Sequence, residues 1–259
     1  MENLHTITYG IEDRGIAHSK NNYNTCVRSS GFPMKYTHTK LLSTGYNEFP
    51  IRRDGITRAG VSDIWIKLND PQVIEGGVNL LIGGQVIETM HTICFNNSDK
   101  FKLTTDHILP MTGVHVITIG VTCKRASELV YTYSTVALES YTYDDCMDIL
   151  FTSEQMTRGC SMIPLYFNHP VTRLDVYTTE PMSSLQFTTE YTDIFTLRLH
   201  DTGPTHYHYV LDFKQYTVNF TKLEKAHLIS SSKSTPVHII GTYRNILRYM
   251  DGMYGLVYL

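Results

Sequence analysis

The chain has 259 residues, 42% of them hydrophobic and 18% charged, with a formal net charge of −3. That length can bury a large core without disulfide or metal staples. No strongly basic stretch provides a nucleic-acid footprint, and no run of about 18 apolar residues provides a helical membrane span.

Eighteen tyrosines, a single tryptophan and abundant threonine favour strands over helices. The five cysteines, Cys26, Cys94, Cys123, Cys146 and Cys160, are widely spaced and form no Cys-x-x-Cys pair. That usage fits free thiols in a reducing compartment. The opening "MENLHTITYGIEDRG" has no basic-then-apolar signal region, so cytoplasmic synthesis is expected.

Residues 1–60 are polar and read as an extended arm with short strands, ahead of a single domain over 61–259. "VSDIWIKL" sets Ile64, Ile66 and Leu68 against Trp65 and Lys67, the alternation of a strand. "VNLLIGGQVIETMHTICF" predicts two strands about a Gly83-Gly84 hairpin turn. In "HILPMTGVHVITIGVTC" both faces are largely apolar, which predicts a strand covered on both sides. "ELVYTYSTVALESYTY" is another strand-rich run. "YDDCMDILFTSEQM" (143–156) departs from this pattern. Cys146, Ile149, Leu150 and Met156 fit a helical face, and Asp144 and Asp145 suit a helix N-terminus, so one short helix is predicted there.

Beyond residue 160 the strands return, separated by the turn-rich "EPMSS", "DTGPT" and "SSSKSTP". The end, "RNILRYMDGMYGLVYL", is apolar where most chains fray. It reads as a strand through about 248. Together these elements predict an antiparallel sandwich or barrel.

The chain has no phosphate-binding loop and no nucleophile elbow. Its best metal-ligating pattern is "HDTGPTHYHY". His206 and His208 share a strand face and His200 lies across the turn, enough for three imidazoles on Zn²⁺. No fourth ligand is fixed by spacing, and a turn with hydrogen-bonding histidines is the simpler reading. No metal and no cofactor are therefore assigned. Asp144, Asp145, Asp148 and Glu154 are the densest carboxylates and read as a solvated helix face, while Trp65 reads as packing.

Six stretches together resemble the major capsid proteins of nucleocytoplasmic large DNA viruses. They are "ITYGIED" (7–13), "FPIRRDGITRAGVSDIWIKL" (49–68), "LLIGGQVIE" (80–88), "FNHPVTRLDVY" (167–177), "VNFTKLEKAHL" (218–228) and the closing "YRNILRYMDGMYGLVYL". They occur in the family's order. The resemblance implies an all-β fold, an antiparallel eight-stranded jelly-roll β-sandwich with an extended N-terminal arm and one short helix. The family fuses two rolls, whereas this length suggests one composite roll or a strongly contracted relative.

The function implied is that of a viral capsid structural protein, major-capsid-like or a minor or penton shell subunit, located in the virion and not an enzyme. Its partners would be other copies of itself, as a trimer or pentamer, and other capsid proteins. Asn168, His169 and Pro170 would open a strand, since the residue before proline is restricted to extended geometry. Arg244 and Arg248 would anchor the last strand, and Gly252 and Gly255 would let the tail turn. Two alternatives stay open: a jelly-roll glycan- or receptor-binding module on the virion, and a metal-dependent, cupin-like barrel enzyme using His200, His206 and His208.

Overall fold

A computed structural model describes residues 27–52, 59–95, 100–103, 108–111, 115–141, 144–157, 160–189, 194–202, 206–213, 217–223, 225–232, 235–250 and 253–257. The chain clusters into two compact units. The first comprises residues up to Met90, Asp99–Ile149 and Asn245–Tyr258, and the second His91–Ser98 and Leu150–Arg244.

The first unit contains β1 (Val27–Leu42), β2 (Gly45–Pro50), β3 (Ala59–Leu68), β4 (Ile74–Ile82), β5 (Gln85–His91), β6 (Lys100–Lys102), β7 (Leu109–Pro110), β8 (Ile117–Cys123) and β9 (Ser127–Tyr141). One sheet has the order β1-β9-β3-β6, with β7 paired to β3, and the other has the order β2-β8-β4-β5. The strand pairings are antiparallel. Alternation places Ile64, Ile66 and Leu68 of β3 in the core, along with Ile117, Ile119 and Val121 of β8. Fully burying one such side chain stabilises by roughly 1.5–3 kcal/mol. The expected hairpin is present: Gly83 and Gly84, at φ of 59° and 80°, make the two-residue turn between β4 and β5. Glycine suits such a turn because side chains disfavour positive φ. The β8 strand is buried along one face. On the other, Thr118 donates to Glu48 at 2.8 Å and Gly120 lies against the Tyr46 hydroxyl.

The second unit contains β11 (Met162–Pro164), β12 (Val171–Thr178), β13 (Leu185–Thr189), β14 (Ile194–Thr196), β15 (Arg198–Thr202), β16 (Tyr207–Asp212) and β17 (Ala226–Ser230), with β10 (Asp144–Thr157) from Leu150 onward and β18 (Val237–Met250) as far as Arg244. Its sheets run β10-β18-β12-β16-β15 and β11-β17-β13-β14. The core takes alternate residues from both, including Leu174 and Val176 of β12, Phe187 of β13, Leu228 of β17 and Ile239 of β18.

The two units share one winding. In each, the first strand pairs with the last and the second with the last but one. That nested pairing is jelly-roll topology.

Three expectations need correction. The chain makes two rolls, because tight turns such as Gly83-Gly84 and short connections let 259 residues hold both sets of strands. Residues 27–50, expected within an arm, are β1 and β2. Their polar composition hides an inward ring stack of Tyr36 and His38 on Tyr133, with centroids 5.6 and 5.5 Å apart. Residues 1–26 of the expected arm lie outside the described residues. The expected helix over 143–156 is β10. Its Thr152 and Glu154 reach histidines on one face, while the next residue, Gln155, bonds to β11 and the loop after it, a period of two where a helix needs 3.6. No α-helix occurs among the described residues.

The last strand runs to Met250, and the tail returns beside it as β19 (Met253–Val257), Leu247 opposite Leu256. Tyr254 holds this hairpin within the first unit. Its hydroxyl donates to the Pro110 carbonyl at 2.6 Å and its amide donates to His115 Nδ1 at 3.1 Å. The apolar terminus is thereby held down.

Candidate functional site

The densest polar chemistry lies on the outer face of the sheet that carries β12, β16 and β18. Alternation turns Leu174 and Val176 inward, so Arg173, Asp175 and Tyr177 of β12 face out. Register sets Tyr177 opposite His238 of β18 and His208 of β16. His91, the last residue of β5, and Cys94, in the short 3-10 turn Thr92–Phe95 that follows, reach the same face.

Glu154 of β10 sits between two imidazoles. His91 Nδ1 lies 3.0 Å from Oε2, and His238 Nε2 lies 2.5 Å from Oε1. The first is an aligned hydrogen bond. The second has ion-pair distance but not hydrogen-bond alignment. His91 Nε2 also meets the Thr152 hydroxyl at 2.9 Å. The Glu154 side chain is only 26% exposed, and its neighbours His238 and then His91 hold its carboxyl down to about 2.

Alongside, burial would raise Asp175, but His208 and Arg173 outweigh it and hold the carboxyl below its usual range. His208 Nε2 approaches Oδ1 at 2.7 Å, and Arg173 donates through Nε at 2.8 Å and through its terminal nitrogen at 2.6 Å. The Tyr177 ring stacks flat on His208 at 4.4 Å and its hydroxyl lies 3.5 Å from Cys94 Sγ. Burial pushes both Tyr177 and Cys94 upward, so the thiol keeps its proton. A thiolate nucleophile needs the opposite shift. Chemically, the face is a lattice of paired charges and rings.

The metal-candidate histidines do not converge. His200 meets His208 edge-on at 5.1 Å, but His208 is committed to Asp175. His206 is half-buried, and burial and then His238 push it down. Among the described residues no group of three His, Cys, Asp or Glu side chains is placed to hold a metal ion. Of the predicted carboxylate cluster, Glu154 is engaged by imidazoles, and the side chains of Asp144, Asp145 and Asp148 lie outside the described residues. Trp65 packs beneath Lys100, whose Nζ is 4.8 Å from the ring centroid. Cys94, Cys123 and Cys160 are free thiols.

Asn168, His169 and Pro170 immediately precede β12, and His169 stacks on Tyr243 at 4.5 Å. Tyr243 in turn stacks on Phe151 at 5.6 Å. Arg244 is exposed on β18, and Arg248 pairs in register with Gly255. Gly255 lies within β19, and a Cβ there would meet nothing within 4 Å, so no turn requires this glycine. Gly252 lies outside the described residues. Sequence reasoning missed His91, Glu154 and His238 as a group. Their separation of 63 residues and more leaves no spacing to read.

No protein-family model matches the chain, and no curated protein matches it in sequence. Solved structures do match. The VP54 protein of PBCV-1, fitted into a cryo-EM reconstruction of the virophage Sputnik, aligns with a TM-score of 0.61 and 14% identity, over 91% of this chain and 99% of that one. A chain of a quasi-atomic model of the PBCV-1 virus capsid aligns at 0.60 and 13%, with the same coverage. At these identities the likeness is one of fold: the chain has the jelly-roll architecture of viral capsid proteins.

Proposed function

We propose that this protein is a structural subunit of a viral capsid, major-capsid-like or a minor or penton component, which acts by self-assembly and not by catalysis. The observation that carries the reading is the repeated winding: two complete rolls in one chain, aligned over nearly its whole length with a viral capsid chain. The six sequence stretches that resemble large-DNA-virus capsid proteins support it independently. The engaged groups of the polar face add support, since none is poised as a nucleophile or metal ligand.

A shell subunit works through repeated contacts, each on the scale of a standard interface of about 1,600 Å². Its partners are further copies, as a trimer or pentamer, and other capsid proteins. Its place is the virion, after synthesis in host cytoplasm. Asn168, His169 and Pro170 set the entry to β12, and Arg244 and Arg248 hold the last strand. Negative-stain electron microscopy of the concentrated, purified chain tests the reading. Closed rings or sheet-like arrays are expected, and isolated monomers at every concentration would overturn it.

A further inference from the structure

One stretch of the second unit lines the margin of both its sheets. β14 ends the sheet β11-β17-β13-β14, and β15 ends the sheet β10-β18-β12-β16-β15. Between them the chain crosses at Leu197, which is buried and donates its amide to the Leu185 carbonyl at 2.9 Å. Open edges present unpaired backbone groups and are usually blunted or covered. Among the described residues no strand covers this margin. All five residues of β15 are exposed, Leu199 by 53%, and Phe195 of β14 is 42% exposed although its ring stacks on Phe187.

A bulge arranges the charge on β15. Register with β16 sets Arg198 opposite Val210, Leu199 opposite Tyr209 and then Asp201 opposite His208, so His200 is the extra residue. Strict alternation would put Arg198 and Asp201 on opposite faces. The bulge resets it. Val210 and His208 lie in register with Asp175 and Tyr177, which face out, so Arg198 and Asp201 share the outer face. Asp201 Oδ1 accepts from the Thr202 amide at 2.7 Å, a bond that leaves its charge at the surface. Among the described residues no acid pairs with Arg198.

We infer that β15 of one copy docks antiparallel against β15 of a second copy of this chain, with Arg198 of each facing Asp201 of the other. The contact rests on the shell-subunit reading and names a surface which that reading uses. A two-fold axis normal to the sheet keeps outer face beside outer face, so the match requires both charges on that face, which is what the bulge at His200 provides. The two charge pairs are then reciprocal, with Leu199 of each copy between them. Complementary charge fixes partner and register in this way. A two-fold contact closes at two copies, so it joins trimers or pentamers to one another instead of building them.

The test follows three full-length proteins by light scattering and sedimentation: the unmodified chain, Arg198→Glu and Asp201→Arg. Each variant alone sets like charges together twice, and the fraction in assemblies larger than one trimer or pentamer is expected to fall at least tenfold. Mixed in equal amounts, the two variants present opposite charges to each other again, and that fraction is expected to recover. Assembly unaffected by either reversal, or a mixture as impaired as its components, would overturn the contact while leaving the shell reading intact. An unmodified chain that stops at single rings would overturn the contact alone, and one that stays monomeric at every concentration would sink both. Hydrogen exchange on the unmodified protein gives a readout free of any folding defect. Amides of 198–202 should gain protection as the larger assemblies form, and unchanged exchange there would also overturn the contact.

Discussion

The two rolls wind alike yet are held differently where their first and last strands meet. In the first roll, β1 and β9 join through rings: Tyr36, His38, Tyr131 and Tyr133 stack in series, and Phe49 of the facing sheet closes on Tyr131 at 5.1 Å. In the second, β10 and β18 are joined on the outer face by a carboxylate held between imidazoles. Ring stacking adds about 0.5–1.5 kcal/mol per pair beyond area burial and does not depend on charge. A carboxylate shared by imidazoles depends on every proton in the group. One topology therefore admits two kinds of seam, and the Glu154 carboxylate makes the second sensitive to acid.

The sharpest way to break the first seam is Tyr133→Ala. The side chain is fully buried and its hydroxyl engages His38 at 3.1 Å, so a loss of about 3–5 kcal/mol is expected, in line with other large aromatic truncations. Urea unfolding followed by emission of Trp65, the chain's one tryptophan and a residue of β3, reads it directly. In the second roll, Gly241→Ala would set a Cβ 2.7 Å from the Phe167 ring, and overpacking of this kind costs about 1–3 kcal/mol. Amide protection across 150–244 should fall while Trp65 emission holds.

Glu154→Ala, which leaves His91 and His238 facing each other without a carboxylate, should cost on the order of 1–2 kcal/mol at neutral pH and remove most of the second roll's acid response. The smallest effect belongs to Lys100→Ala. Removing an exposed cation from the Trp65 face costs about 0.5–1 kcal/mol and shifts the emission maximum.

What was legible in the sequence follows from the range of each interaction. Alternation at Ile64, Ile66 and Leu68 is local, and so is the Gly83-Gly84 turn, and both were readable. Strand β10 was not. Asp144 and Asp145 imitate a helix start, and what makes 144–157 a strand is its place beside β18 and Glu154's grip on His91 and His238, all distant in sequence. The polar β1 was misread for a related reason: Tyr36 and His38 turn inward only because Tyr131 and Tyr133 wait on β9. The number of rolls depends on which strands pair, which composition does not record. The metal pattern failed because the chemistry of His208 is decided by Asp175, thirty-three residues away.

Acid titration tests the contrast most directly. The Glu154 carboxyl falls from its ordinary 4.5 to about 2 in the fold. A depressed value stabilises fully above the ordinary one, so that contribution is present above about pH 4.5 and is lost as pH falls toward 2. Unscreened it would be about 3 kcal/mol, and partial exposure reduces it to on the order of 1–2 kcal/mol. Asp175, also held low, acts with the same sign. Between pH 7 and 2, hydrogen exchange of 150–244 is read alongside Trp65 emission. The account predicts that protection in the second roll falls between 4.5 and 2 while Trp65 emission holds in a folded first roll. Loss of both in step, or of the Trp65 signal first, would contradict it.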